Sequence, residues 1–140
     1  MSIWQRPATP EAINARLAGT AAGLLDIRVT EVLPDSLRAD MPVDERHRQP
    51  LGLLHGGVSV VLAETLGSVA GTLTLPEGQF AAGIEVNANH LEAVRVGDSV
   101  TAECRPLRLG RRIQVWGIEI RRGDGRLACV SRLTCAAVEA

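Results

Sequence analysis

The sequence predicts an α+β fold: a curved antiparallel sheet of about six strands wrapped around one long central helix, with a short N-terminal helix outside it. Three observations carry this expectation. Residues 53–75 read as a tight turn feeding a helix whose apolar and small residues fall on every face, so protein should cover it all round. Two strand-like stretches precede the helix and four follow, joined by short links that require antiparallel pairing. At 140 residues and 46% hydrophobic content, the chain suits a single domain over 1–140 with a substantial core.

Taken in order, Thr9-Pro10-Glu11 is a helix start, with Thr9 as N-cap and Pro10 at the first helical position. Ile13 and Leu17 then place a short amphipathic helix over 10–18. Residues 25–33 alternate loosely, Pro34-Asp35 makes a turn, and 36–43 alternate with period two, which gives a two-stranded hairpin. Residues 44–54 form a polar loop that arrives at the central helix, and Pro76-Glu77-Gly78 stops that helix. Strands are expected over 81–91, 99–109, 112–122 and 127–138. The turns between them fall at Arg95-Val96-Gly97-Asp98, Leu109-Gly110-Arg111 and Gly123-Asp124-Gly125. Alternation is clearest where Val115, Gly117 and Glu119 oppose Trp116, Ile118 and Ile120. One sheet cannot cover every face of an apolar helix, so a partner subunit is expected across an edge strand or the helix itself.

Composition narrows the function. A net charge of −1 with 22% charged residues lacks the basic excess of a nucleic-acid binder. All fifteen basic residues are arginine, which suits bidentate phosphate recognition, although an Arg-rich composition accounts for the same fact. The start lacks the basic-then-apolar layout of a signal peptide, and the apolar stretch 58–75 carries Glu64 with several glycines and threonines. Neither export nor membrane insertion is expected, and the reading is cytoplasmic. Cys104, Cys129 and Cys135 lie in strand-like segments with no C-x-x-C pair, as reduced core thiols would. His47, His55 and His90 show no zinc-ligand spacing, so no metal is expected.

The candidate chemistry lies between residues 49 and 68, at Gln49, His55, Gly56, Glu64 and Ser68. Glu64 is the one charged residue of the central helix, and a lone carboxylate there is costly unless paired, protonated or functional. Ser68 is four residues on, on the same face. Gly56 opens the helix, where its N–H is an orphan donor in a positive field, suited to an oxyanion. A carboxylate activates water or attacks directly. Two structural alternatives stand beside this reading: Glu64 as an acid paired with an arginine, and His55 as a core or capping histidine. Gly56 and Glu64 are eight residues apart, about 12 Å along one helix, too far for both to act on one carbonyl. Different subunits related by a two-fold axis would bring them together, one giving the helix start and the other Glu64.

These residues resemble a known family. Gln49-Pro50, Gly52-Leu53-Leu54-His55-Gly56-Gly57 and Ala63-Glu64-Thr65-Leu66-Gly67-Ser68 are similar to the hotdog-fold acyl-CoA thioesterases of the 4-hydroxybenzoyl-CoA and phenylacetate-pathway type. Glu85-Val86-Asn87-Ala88-Asn89-His90 and Pro106-Leu107-Arg108-Leu109-Gly110-Arg111 extend the likeness over nearly the whole chain. The pattern is most similar to the branch holding the 1,4-dihydroxy-2-naphthoyl-CoA thioesterases of menaquinone biosynthesis and the proofreading thioesterases of enterobactin synthesis. The resemblance implies homodimers with two composite sites, usually paired into a dimer of dimers. It implies Glu64 as nucleophile or general base, Gly56 N–H with the Gln49 side chain polarising the thioester carbonyl, His55 near the departing sulfur, and Ser68 positioning the water. By the same resemblance His90 lies near the acyl or pantetheine end, and Gly83 near the coenzyme A channel. Leu107, Arg108, Leu109, Gly110, Arg111 and Arg112 line the coenzyme A channel, with the arginines serving its phosphates. Close relatives follow the histidine matching His90 with a second His and then Arg-Pro. Here Leu91, Glu92 and Ala93 follow, which removes a cation from that corner of the substrate-binding surface.

The expected activity is hydrolysis of an aromatic acyl-CoA thioester to free acid and coenzyme A, with no cofactor beyond the coenzyme in the substrate. Three alternatives are a thioesterase that clears misacylated aryl carrier protein, a dehydratase of 3-hydroxyacyl thioesters, and an acyl-CoA-binding module without turnover. With one Phe, two Trp and no Tyr, selectivity for an aromatic acyl group would rest on aliphatic walls.

Overall fold

A computed structural model describes residues 1–140. In chain order its elements are α1 (Pro10–Leu17), α2 (Ala21–Leu24), β1 (Arg28–Val32), β2 (Leu37–Pro42), α3 (Gly56–Leu73), β3 (Gln79–His90), β4 (Ser99–Leu109), β5 (Ile113–Arg122) and β6 (Leu127–Glu139). The strands form one antiparallel six-stranded sheet in the order β1-β2-β4-β5-β6-β3. The sheet carries α3 on its inner face, which is the hotdog arrangement. β3 follows α3 in sequence yet pairs with β6, so the chain crosses the helix before the last three strands fill the middle of the sheet.

Period-two alternation explains the core. Leu37, Ala39 and Met41 of β2, Ala102 and Cys104 of β4, and Trp116, Ile118 and Ile120 of β5 are buried, in one cluster with Leu62, Leu66 and Ala70 of α3. Small residues let the helix sit close to the sheet: a Cβ on Gly67 would lie 2.6 Å from the Leu133 side chain. By length and composition α3 would pass for a membrane span, yet it is the core helix here, with Leu62, Ala63, Leu66 and Ala70 fully buried. The three cysteines are buried and unbridged.

Local signals hold the ends. The Thr9 hydroxyl accepts from Ala12 N–H, and Pro10 occupies the first turn of α1. Asn14 then covers the outer edge of β1, its Oδ1 accepting from Val29 N–H at 2.8 Å and its Nδ2 donating to Val29 O at 2.9 Å. At the far end of α3, Gln114 Nε2 donates to Thr74 Oγ1 at 2.9 Å and Trp116 Nε1 donates to Gln114 Oε1 at 3.0 Å. Trp4 stacks on Trp116 with ring centroids 6.4 Å apart. Trp116→Ala removes this buried ring and orphans Gln114, so it should cost about 3–5 kcal/mol of stability, read as a lowered urea midpoint.

Two expectations need correction. The stretch after Gly19 is not yet strand: Thr20 caps the helical turn α2, its hydroxyl accepting from Gly23 N–H, and β1 begins at Arg28 rather than at 25. The central helix is also not covered on all faces. Val61, Glu64, Thr65, Ser68 and Val69 stay partly exposed, because the sheet covers one side and α2 reaches only part of the other.

Candidate active site

Two separate concavities hold the candidate residues. The first, a cavity of about 300 Å³ at the start of α3, is lined by Gln49, Gly56, Ser59, His90, Leu91 and Glu92 among others. As the first helical residue, Gly56 has an N–H with no acceptor inside its own helix, and this one donates to nothing else in the chain. Gln49 is locked from one side: its Oε1 accepts from Leu51 N–H at 2.6 Å and Leu53 N–H at 3.2 Å. A carboxamide whose oxygen is turned to the backbone presents Nε2 as a donor. Two unpaired N–H donors thus share one cavity wall, in the field of a helix N-terminus.

His55 caps α3, its Nδ1 accepting from Gly57 N–H at 2.9 Å. The capping alternative is therefore what the chain does, and it leaves Nε2 as the exposed, protonated nitrogen of a neutral ring. The His90 ring lies against Gly56, so that a Cβ there would meet Nε2 at 2.9 Å. Glu92 is held by Arg126 at 3.3 Å and Arg122 at 3.8 Å, so the carboxylate that departs from the usual pattern is neutralised from β5 and the β5–β6 turn.

The second concavity, a groove of about 410 Å³, runs between α3 and the α1–α2 segment and contains Glu64 and Ser68. Glu64 makes no ion pair and no side-chain hydrogen bond within the chain, so the arginine-paired alternative is not what this chain builds. Its carboxylate lies over Gly83, where any side chain would displace it. Burial, with the Glu64 charge adding to it, pushes the Cys135 thiol beneath up to about 11.

One chain does not bring the two halves together. Gly83 pairs with Cys135 and His90 with Cys129, toward opposite ends of β3, about 23 Å apart at 3.3 Å per residue. The hairpin of Leu107, Arg108, Leu109, Gly110, Arg111 and Arg112 lies at the Gly83 end, since Leu109 pairs with Gln114, and Ile113 with Ala136, which in turn pairs with Ala82. Arg108, Arg111 and Arg112 are exposed and enter no ion pair. Sequence reasoning missed Ser59, three residues after Gly56 on the same face, and Leu17, Ala21 and Ala22, which wall the Glu64 groove. Helical spacing from Gly56 would have found the first; nothing local marks the others.

Residues 51–129 match the family model of the Thioesterase superfamily. The chain is 54% identical over 134 residues to the 1,4-dihydroxy-2-naphthoyl-CoA hydrolase of Escherichia coli, covering 96% of this chain and 98% of that protein. It is 51% identical over 134 residues to the proofreading thioesterase EntH of Cronobacter turicensis, covering 96% and 97% respectively. Among solved structures, thioesterase HI1161 from Haemophilus influenzae superposes with a TM-score of 0.94 at 48% identity, covering 98% of this chain and 95% of that one.

Proposed function

We propose, from the premise that this chain is a hotdog-fold member of the Thioesterase superfamily, that its substrate is an aromatic acyl-CoA and its products are the free acid and coenzyme A. The observation that carries the reading is the pair of unpaired donors, Gly56 N–H and Gln49 Nε2, on one cavity wall, with an unpaired carboxylate, Glu64, in a separate groove about two turns along the same helix. The hydrolase of Escherichia coli is named for a dihydroxynaphthoyl thioester, and the identity with it supports the aromatic acyl group.

The halves meet in a homodimer. β3 is a twelve-residue strand with no neighbour on its outer side and neither Lys nor Pro to protect it. Two copies pairing antiparallel along β3 would lay the His90 end of one protomer beside the Gly83 end of the other, and so bring the donor cavity of one against Glu64 of the next. The thioester carbonyl then points its oxygen at Gly56 N–H and Gln49 Nε2 while Glu64 attacks the carbonyl carbon or takes a proton from an attacking water beside Ser68. The C–S bond breaks as the tetrahedral oxyanion collapses, and coenzyme A leaves as a thiolate that takes up a proton. Where Glu64 attacks, the mixed anhydride it forms is then hydrolysed by water to release the free acid, so both roles give the same balanced reaction. Two such dimers would associate into a tetramer, in a cytoplasmic enzyme needing no cofactor.

Arg108, Arg111 and Arg112 present free guanidiniums beside the carboxylate end of the site, suited to the phosphates of coenzyme A. Replacing Arg108 and Arg111 by Ala together should raise KM for a coenzyme A thioester about 10-fold. The same change should leave KM for the matching N-acetylcysteamine thioester unaltered; an equal rise for both would remove the arginines from this role.

A second reading follows from the likeness to a proofreading thioesterase: an aryl group carried on a carrier-protein pantetheine would use the same residues. Initial rates across aroyl-CoA, fatty acyl-CoA and aryl-carrier thioesters separate the two. The expected result is the highest kcat/KM on aroyl-CoA. A preference for the carrier thioester would transfer the assignment, and no turnover of any thioester would end it.

A further inference from the structure

Apart from the three cysteines, His47 is the one titratable side chain that is fully buried, and it belongs to neither concavity. It stands in the β2–α3 loop, which also carries Gln49 and ends in the Gly56 turn. Its main-chain carbonyl accepts from His55 N–H at 2.8 Å, which closes the neck of that loop immediately before Gly56. Its ring reaches the other way. Nε2 lies 2.7 Å from Leu25 O, and since a carbonyl only accepts, Nε2 carries the hydrogen. Nδ1 lies 3.1 Å from Asp44 N and 3.0 Å from Asp44 Oδ1. Asp44 is itself clamped by Arg46, whose guanidinium holds the carboxyl well below the usual carboxylate range and also bonds Asp26 and Leu24 O.

We propose that His47 is a positioning residue for the oxyanion donors: its Nε2–H bond to Leu25 O pins the neck of the Gln49–Gly56 loop to the segment after α2. The inference rests on the functional reading above, in which Gly56 N–H and Gln49 Nε2 address the carbonyl. Other contacts hold the loop from the opposite side, where Leu54 N–H donates to Val94 O at 2.7 Å and Val96 N–H to Gly52 O. On the α2 side, the Leu25 carbonyl is where the His47 ring ties the neck to the body of the fold. Losing that tie leaves the loop in place but looser at its neck, held on the α2 side only by the exposed Arg46 contacts to Leu24 O and Asp26. A displacement on the order of 1 Å at donors that must meet a developing charge costs about 100-fold in rate.

The test uses three variants of the full chain. His47→Gln puts an amide N–H where Nε2 stood, within reach of Leu25 O; His47→Asn puts its polar atoms only where Nδ1 stood; His47→Ala supplies neither. The expected result on an aroyl-CoA substrate is a kcat lowered about 10-fold to 100-fold in the Ala and Asn variants, KM within about threefold of the parent, and kcat restored to within about fivefold in the Gln variant. Hydrogen exchange of the His55 amide should quicken in the Ala and Asn variants and not in the Gln variant, while β5 and β6 amides keep their protection. Parent-like kcat in His47→Ala, or rescue by Asn equal to that by Gln, would overturn the proposal. Should the Ala variant fail to fold, the Gln and Asn pair still decides it. Should the parent hydrolyse no thioester, the functional reading falls by itself, and the exchange pattern still reports whether His47 pins the loop.

Discussion

Glu64→Ala is expected to lower kcat by about 10³-fold to 10⁴-fold, with KM changed little. In the proposed mechanism the carboxylate does the bond-making step or generates the nucleophile, and no other acid stands in the groove it shares with Ser68. The fold should survive the change, because Glu64 makes no ion pair or side-chain hydrogen bond within its chain. Glu64 is partly exposed and unpaired within its chain, so the melting temperature should hold. Ser68→Ala should cost far less, since it loses orientation of the water and not the reacting group. A Glu64→Ala protein that turns over at the parent rate would remove the residue from the mechanism.

Gly56→Pro is expected to lower kcat about 10²-fold to 10³-fold, the loss that follows removal of one oxyanion donor. Proline deletes the N–H and nothing else that the helix needs, since the first helical position has no intrahelical partner and favours proline. The preceding residue, His55, is already extended at φ −64 and ψ 129, the conformation proline imposes on its neighbour. Gly56→Ala is the control. It brings the same Cβ against the exposed tip of His90 but keeps the N–H, so the ratio of the two variants isolates the donor. Equal activity in both would mean that this amide does not meet the substrate.

Much of this architecture was legible in the sequence where a local rule acts alone. Thr9-Pro10 fixed the start of α1, and the alternation of Trp116, Ile118 and Ile120 fixed the inner face of β5. The turn at Gly123-Asp124-Gly125 was equally plain, with Gly125 at φ +86. α2 was not legible, because four residues are too few for helical periodicity and Gly23 argues against a helix; the Thr20 cap was its only signal. The site split the same way. Glu64 and Gly56 stood out as a lone charge and an orphan donor on one helix, whereas the turned carboxamide of Gln49 depends on the path of residues 49–53 through space. The buried ring of His47 was hidden for the same reason: its partner Leu25 is 22 residues away. All-round apolarity of α3 was read as all-round burial, yet one chain covers only the sheet-facing side, and the uncovered side is the one that holds Glu64.

The composite site is tested most directly by mixing two crippled proteins. Glu64→Gln and Gly56→Pro are each expected to keep no more than about 1% of the parental kcat alone. In a mixed dimer, the intact carboxylate of the Gly56→Pro protomer faces the intact amide of the Glu64→Gln protomer, so one of the two sites is whole. Random reassortment of equal amounts should therefore restore about one quarter of the parental kcat, with the parental KM. A mixture that reassorts into mixed dimers and stays as inactive as its components would mean that carboxylate and amide are not supplied by different protomers.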